Sequence, residues 1–274
     1  MGYPIQAIHV PKTVDNDLPI TDCCPGFGSV AKYIAVSTLE ASYDVRSMAK
    51  TSTKIFVIEV MGRHAGWIAA AGGLVADHGH SGGDPVPGNR IRPEAKFLAA
   101  VRKRSKEHGF CTVVVSEGCH YPDGKFLAEQ GTRDAFGHAQ LGGAAPVVAN
   151  MIKEALGYKF HWAVADYLQR AARHMASKTD VEQAYELGKK AVELAVKGNN
   201  SVMPTIDRSP TFPTMGNRLC RTEGCGQRGE VHAARLHLRG WLRHHRQVPQ
   251  LPHRPDPGRG LPEVRKRPAA STSR

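Results

Sequence analysis

The sequence contains no run of about 18 apolar residues, and its N-terminus lacks a charged-then-apolar signal segment. A membrane span and a membrane partner are therefore not expected, and the cytoplasm is the expected compartment. Cysteine is sparse. Cys23, Cys24, Cys111, Cys119, Cys220 and Cys225 are the six in 274 residues, which argues for free thiols in a reducing compartment rather than a disulfide framework. Acidic charge is also short, leaving a net charge of +12, a value that ordinarily points to a polyanionic partner. The excess lies at one end. The chain has 37 Lys and Arg against 25 Asp and Glu, of which 13 against 4 fall from Met215 onward, leaving 24 against 21 for residues 1–214. A body this nearly balanced gives no reason to expect a nucleic-acid partner. A hydrophobic fraction of 41% suffices for a buried core and makes a globular enzyme the default.

Residues 1–214 read as alternating strands and helices, the pattern of a parallel sheet with helices on its faces. Residues 5–10 form a short apolar strand candidate, followed by a polar stretch over 11–25. A helix is expected over Phe27–Met48, with Val30, Tyr33, Ile34, Leu39 and Val45 as its apolar stripe. Residues 54–60 (KIFVIEV) are β-branched and almost wholly apolar, as a strand covered on both faces should be. A small-residue helix is expected over 66–75, another helix over Glu94–His108, and another buried strand over 111–115 (CTVVV), ending at Ser116-Glu117-Gly118. The last clear element is a helix over 180–197, opened by Thr179 with Glu182 at capping-box spacing. The expected fold class is doubly wound, Rossmann-like α/β. Ligands in such sheets sit beyond the strands' carboxyl ends, so the loops after Val10, Val60 and Val115 are the places to look. Residues 215–274 lack periodicity and have only short apolar runs, the composition of a basic disordered tail.

The first loop, Lys12-Thr13-Val14-Asp15-Asn16-Asp17, sets two carboxylates two residues apart beside a lysine. That combination suits phosphoryl transfer: one carboxylate accepts the attacking hydroxyl's proton, the second tunes it, and the lysine neutralises phosphate charge. Taken alone, Asp-Asn-Asp is equally a turn in which short polar side chains bond their own backbone. In the second loop, Met61-Gly62-Arg63-His64, Gly62 lets backbone approach a ligand, Arg63 offers a fork for phosphate, and the following helix N-terminus favours anions. The plain alternative is a strand-to-helix turn with a surface arginine, and His64 reads as a packing residue.

Together these loops resemble the pyrophosphate-dependent 6-phosphofructokinases. The resemblance is carried by PKTVDNDLPITDCCPGFGS and EVMGRHAGWIAA in that order, by VVVSEG at 113–118, and by YKFHWAVADYLQRAARHMASKTDVEQAYELGKKAVELA at 158–195. It covers residues 5–77 and 94–214. It implies the phosphofructokinase fold, in incomplete form, and transfer of a phosphoryl group from pyrophosphate to fructose 6-phosphate in glycolysis. By resemblance Asp15 is the proton acceptor, Lys12 stabilises the transferring group and marks pyrophosphate rather than ATP as donor, and Asp17 supports the base and its metal environment. Thr13 and Val14 belong to the same substrate loop. Met61, Gly62 and Arg63 match the substrate-binding turn, Glu117 a glutamate that holds the sugar, and Tyr167, Leu168, Gln169 and Arg170 the segment that grips the 6-phosphate. On spacing alone the last four are one turn of an amphipathic helix, although an arginine fork there fits two phosphate oxygens. Lys159 is a further basic residue weighed as a phosphate contact. The family's magnesium is implied as well, together with homo-oligomers.

The sequence departs from the family in three places. The glycine-rich phosphate loop and the Gly-Gly-Asp-Asp segment that hold pyrophosphate and magnesium are not found before Ile5, so no metal ligand is assigned, and this chain is expected to be nearly inert and poorly soluble. Codons for Met215–Arg221 admit Trp-Glu-Ile-Gly-Phe-Ala when read one nucleotide later, which makes 215–274 read as out-of-frame translation, and a similar shift fits 83–93 within the atypical stretch 78–93. Rival readings are an ATP-dependent phosphofructokinase, against which Lys12 argues, and a non-catalytic regulatory subunit, against which the intact Thr13-Val14-Asp15 argues. A zinc or nucleic-acid module built on Cys220, Cys225, His232 and His237 is more remote, since its central gap is about half of the usual twelve residues and no finger core accompanies it.

Overall fold

Branched apolar side chains on both faces of a strand need cover from both sides, and strands β1 (Ile55–Val60) and β2 (Cys111–Ser116) receive it. The computed structural model describes residues 5–73, 94–121, 123–133, 139–141, 143–208 and 213–221, all within one compact unit, Met1–Ala233. On one face Ile55, Val57, Val113 and Val115 pack with residues of helices α3 (Glu94–His108) and α4 (Ala144–Leu156). On the other, Phe56 packs with Val45 and Ala49 at the end of helix α1 (Phe27–Met48) and with Phe110. There the Ser42 hydroxyl of α1 donates to Thr112 Oγ1 at 2.9 Å. Helix α2 (Trp67–Gly72) lies on the same face, with Gly72 against Val114. Strand β5 (Phe160–Val164) completes a three-stranded parallel sheet in the order β2-β1-β5. Its register pairs Ile55 with Cys111 and Phe160, Val60 with Ser116, and Glu59 with Val164. The three strands therefore end side by side, as the doubly wound expectation requires.

Two helices are opened by carboxylates from distant parts of the chain. Helix α4 starts after Gly143 without a side-chain cap of its own. Glu59, buried within β1, accepts from Gly143 N at 3.1 Å through Oε1 and from Ala145 N at 2.8 Å through Oε2. The helix N-terminus has unpaired N–H groups and partial positive charge, so a buried carboxylate there is satisfied. Helix α1, after Gly26, likewise lacks a local cap. Asp180 accepts from both the N–H and the hydroxyl of Ser29 in its first turn.

That arrangement changes the expected start of the last helix. Helix α6 spans Lys178–Val196 with Ser177 before it and no side-chain cap bond. Thr179 sits inside the first turn, Asp180 is engaged by α1, and Ser177 N donates to Ser29 Oγ at 2.9 Å. Tertiary partners have displaced the local capping box. The expected strand over 5–10 is reduced to one bridge, Ile8 with Val202, flanked by bonds from His9 N to Val202 O at 2.9 Å and from Ser201 N to Ala7 O at 2.8 Å. Its apolar side chains have little to cover them, and Ile5 and Val10 are exposed. The expected helix over 66–75 is described to Gly73 and is helical from Trp67.

Antiparallel pairs form between β3 (Glu129–Arg133) and β4 (Ala139–Leu141) and between β6 (Val202–Arg208) and β7 (Pro213–Arg221). Strand β7 crosses the boundary drawn at Met215. The first seven residues of the presumed disordered segment are therefore strand, registered from Val202 with Arg221 to Arg208 with Pro213. Residues 222–274, with Cys225, His232 and His237 of the zinc reading, and residues 78–93 lie outside the described residues. Two short elements connect β5 to α6: helix α5 (Leu168–Ala171) and a 3-10 turn over Arg173–Met175.

Candidate substrate site

Because β1, β2 and β5 are parallel and end in register, the turns that follow Val60, Ser116 and Val164 emerge at one edge of the sheet. The first turn carries Met61, Gly62 and Arg63. Gly62 has a φ of 132°, a conformation open to glycine, and a methyl group there would collide with the Ala65 carbonyl. A methyl group at Gly118 would fall on the Arg63 carbonyl. The Ser116 hydroxyl donates to the Gly62 carbonyl, and Gly62 N donates to Glu117 Oε1 at 3.4 Å. Backbone fit thus clamps the Arg63 turn onto the exit of β2.

The third turn carries Tyr167–Arg170. The Arg170 guanidinium lies over the Tyr167 ring at 4.0 Å. Tyr167 and Leu168 are 59% and 67% exposed, whereas the neighbouring Gln169 is 2% exposed. Gln169 Oε1 accepts from Met61 N at 3.3 Å, and its Nε2 donates to the Asp166 carbonyl at 2.8 Å.

The loop Lys12–Asp17 enters from outside the sheet. Thr13 Oγ1 accepts from Asp15 N at 3.2 Å. Asn16 takes a positive φ of 57°, which asparagine tolerates, and its Oδ1 accepts from Cys24 N at 2.8 Å. Val14 faces Gly26 just before α1. Further along, Thr21 Oγ1 accepts from Ile206 N at 3.1 Å and Asp22 N donates to Ile206 O at 2.9 Å, so the loop is anchored on β6.

Charge ties these turns together. Burial, and then the neighbouring Asp17 charge, push the Asp15 carboxyl up to about 6, against the pull of Arg63, Lys12 and Arg170. Burial also raises Glu117, opposed by the bond from Gly62 and by Arg63 and reinforced by Asp15 and then Glu59. Burial pushes the Cys24 thiol up to about 12, which leaves it protonated and unreactive at neutral pH. Chemically, this is a carboxylate poised near neutrality beside three cations, an arrangement able to accept a proton while holding a phosphorylated ligand.

The structure brings Lys12, Asp15, Asp17, Arg63, Glu117 and Arg170 into one electrostatic neighbourhood. Thr13 and Val14 share the loop of Asp15, and Met61 and Gly62 share the turn of Arg63, their backbone N–H groups bonded to Gln169 and Glu117. Lys159 is at the other end of the sheet, where Lys54 N donates to its carbonyl and its Nζ donates to Ser52 Oγ at 2.9 Å. A strand of five residues, roughly 16 Å, separates it from the turns, which removes it as a phosphate contact within this chain's own site. Residues not anticipated are Glu59, Asn16, Ser116 and Gly118, all of which hold the site's backbone. A carboxylate inside the apolar run KIFVIEV was the signal for Glu59, since a buried charge needs a partner. Among the described residues no group of three or more His, Cys, Asp or Glu is placed to hold a metal ion.

The family described as Phosphofructokinase matches residues 2–195. The pyrophosphate–fructose 6-phosphate 1-phosphotransferase of Methylococcus capsulatus is 67% identical over 215 residues, covering 78% of this chain and 51% of the relative. That of Halomonas elongata is 67% identical over 218 residues with the same coverage. The crystal structure of a pyrophosphate-dependent phosphofructokinase from Nitrosospira multiformis superimposes with a TM-score of 0.69 at 56% identity, over 85% of this chain and 56% of that one. The chain spans about half the length of these relatives.

Proposed function

Because this chain belongs to the phosphofructokinase family, we propose that its cleft binds fructose 6-phosphate and serves reversible phosphoryl transfer from pyrophosphate to the sugar's 1-hydroxyl, a step of glycolysis. The observation that carries this reading is that Lys12, Arg63 and Arg170 all act electrostatically on the Asp15 carboxyl. In the reaction Asp15 takes the hydroxyl proton, the freed oxygen bonds to the transferring phosphorus, and the bond from that phosphorus to the bridging oxygen breaks to release phosphate. Arg63 and Arg170 hold the sugar phosphate, Glu117 holds the sugar, and Lys12 faces the transferring group. Asp17 keeps the base's proton affinity high.

Magnesium is implied by the resemblance, which places Asp17 in its environment; a magnesium ion takes one or two carboxylates together with substrate phosphates and water. Both substrates are small soluble anions, which agrees with a cytoplasmic setting and needs neither nucleic acid nor membrane. No helix among the described residues is long and apolar enough to cross a membrane. Homo-oligomers belong to the same proposal.

Calorimetric titration of the chain tests this. Fructose 6-phosphate binds, fructose binds far more weakly, and Arg170→Ala weakens the sugar phosphate by roughly 30-fold, about 2 kcal/mol for lost charge-assisted bonds. Equal binding of fructose and its phosphate, or an unchanged Arg170→Ala, would overturn the reading. In a chain completed to the length of its relatives, pyrophosphate supports turnover. Preference for ATP there would reverse the donor assignment.

A further inference from the structure

By resemblance Gln169 belongs to the run of four residues that contacts the substrate, yet its side chain is enclosed and both ends of its amide are engaged within the protein. It accepts from Met61 N, two residues before Arg63, and donates to the Asp166 carbonyl, four residues before Arg170. The backbone ladder between β1 and β5 ends with Ala165 N donating to Glu59 O at 2.9 Å. Past that bond the two chains diverge into their turns, and the Gln169 amide continues the cross-link where backbone pairing has stopped. Asp166 takes a φ of 37°, a left-handed conformation that aspartate, like asparagine, adopts more readily than most residues, and the Gln169 bond to its carbonyl holds that turn. Arg170 follows directly, with its guanidinium parked over the Tyr167 ring.

We propose that Gln169 is a positioning residue: it sets the separation of Arg63 and Arg170 so that both reach one phosphorylated ligand, without itself touching that ligand. The inference rests on the reading of this cleft as a fructose 6-phosphate site. A side chain only 2% exposed, with its amide already bonded to both turns, presents no surface to a sugar. Removing it leaves the Met61 N–H and the Asp166 carbonyl without partners and lets the turns relax apart. Two phosphate-binding forks must be held within a fraction of an ångström to act together.

The test uses the full chain titrated with fructose 6-phosphate. Gln169→Met keeps the length and removes both hydrogen bonds. Gln169→Glu keeps the acceptor for Met61 N and removes the donor to Asp166, so it carries the test if the methionine variant does not fold. We expect Gln169→Met to weaken binding roughly tenfold and Gln169→Glu by less. In an Arg170→Ala background the same changes weaken binding less than twofold, because the second fork they position is already gone. A positioning role also moves the Asp15 carboxyl titration, followed by carbon NMR, upward as the arginines draw away, which a general loss of stability does not do. Parent-like affinity in both variants, or an undiminished tenfold loss without Arg170, overturns the proposal. If Arg170→Ala and Arg63→Ala themselves leave binding unchanged, the fructose 6-phosphate reading fails instead, and the two failures are thereby told apart.

Discussion

The two arginine-bearing turns meet at the same edge of the sheet but are built in opposite ways. The Arg63 turn is held by backbone shape, with Gly62 and Gly118 closing the space a methyl group would need and with Ser116 and Glu117 bonding Gly62. The Arg170 turn is mostly surface, with Tyr167 and Leu168 turned to solvent and Gln169 buried as the tether. A turn fixed by shape tolerates almost no change, whereas a turn fixed by a few polar bonds loses affinity in steps.

The comparison is broken most severely at Gly118. In Gly118→Ala the new methyl group meets the Arg63 carbonyl, a backbone atom that cannot swing aside, so the β2 exit and the Arg63 turn must separate. We expect a destabilisation of about 3 kcal/mol, measured by thermal or urea unfolding, with loss of measurable fructose 6-phosphate binding. A variant that melts like the parent would mean that the turn is not clamped by shape.

The next effect lies between the turns. Asp15 feels both arginines, yet burial and Asp17 win and keep its carboxyl near 6 against an ordinary 3.8. A carboxyl with a raised value in the folded state has its favourable contribution fully present below about 3.8, and that contribution is lost as pH rises through about 6. The ionised group therefore costs stability at pH 7. Asp15→Asn is expected to stabilise the chain at pH 7 by on the order of 1–2 kcal/mol, a figure discounted for the group's partial contact with water, while removing the proposed proton acceptor. The gain should shrink as pH falls from 6 towards 4, which unfolding curves of parent and variant at several pH values will read. A gain that grows on acidification would reverse the sign assigned to Asp15.

The same contrast explains what could be read in the sequence. Helix α1 and strands β1 and β2 were legible because each carries its burial pattern locally, in one case a stripe of which Val30, Ile34 and Val45 are buried and Tyr33 and Leu39 half-buried, in the others unbroken β-branched runs. Helix α4 was not, because its start is satisfied by Glu59 from β1 rather than by any residue beside it. The edge strand β5 was missed because FHWAV, exposed at His161, Trp162 and Val164, has neither a continuous nor a regularly alternating buried face. Local capping rules placed the start of α6 two residues late because Asp180 is committed to α1. Within the site, the charged residues stood out through loop position and resemblance. The residues that hold backbone, such as Gly118 and Asn16, gave no chemical signal, since their partners are carbonyl and amide groups that every residue carries.

The smallest effect tests how loose the looser turn is. Tyr167 offers its ring face to the Arg170 guanidinium at 4.0 Å while being 59% exposed. A cation over an aromatic face in such a setting is worth about 0.5–1 kcal/mol, which is the pre-organisation that the ring contributes to the fork. Tyr167→Leu keeps an apolar surface under the guanidinium and removes the π face, so fructose 6-phosphate affinity should fall roughly two- to fivefold with no change in melting temperature. Tyr167→Phe, which retains the ring, should bind within twofold of the parent if the ring alone matters. A large loss in the phenylalanine variant would instead give the tyrosine hydroxyl a direct hold on the ligand, and would make the Arg170 turn as dependent on one polar bond to the ligand as it is on Gln169.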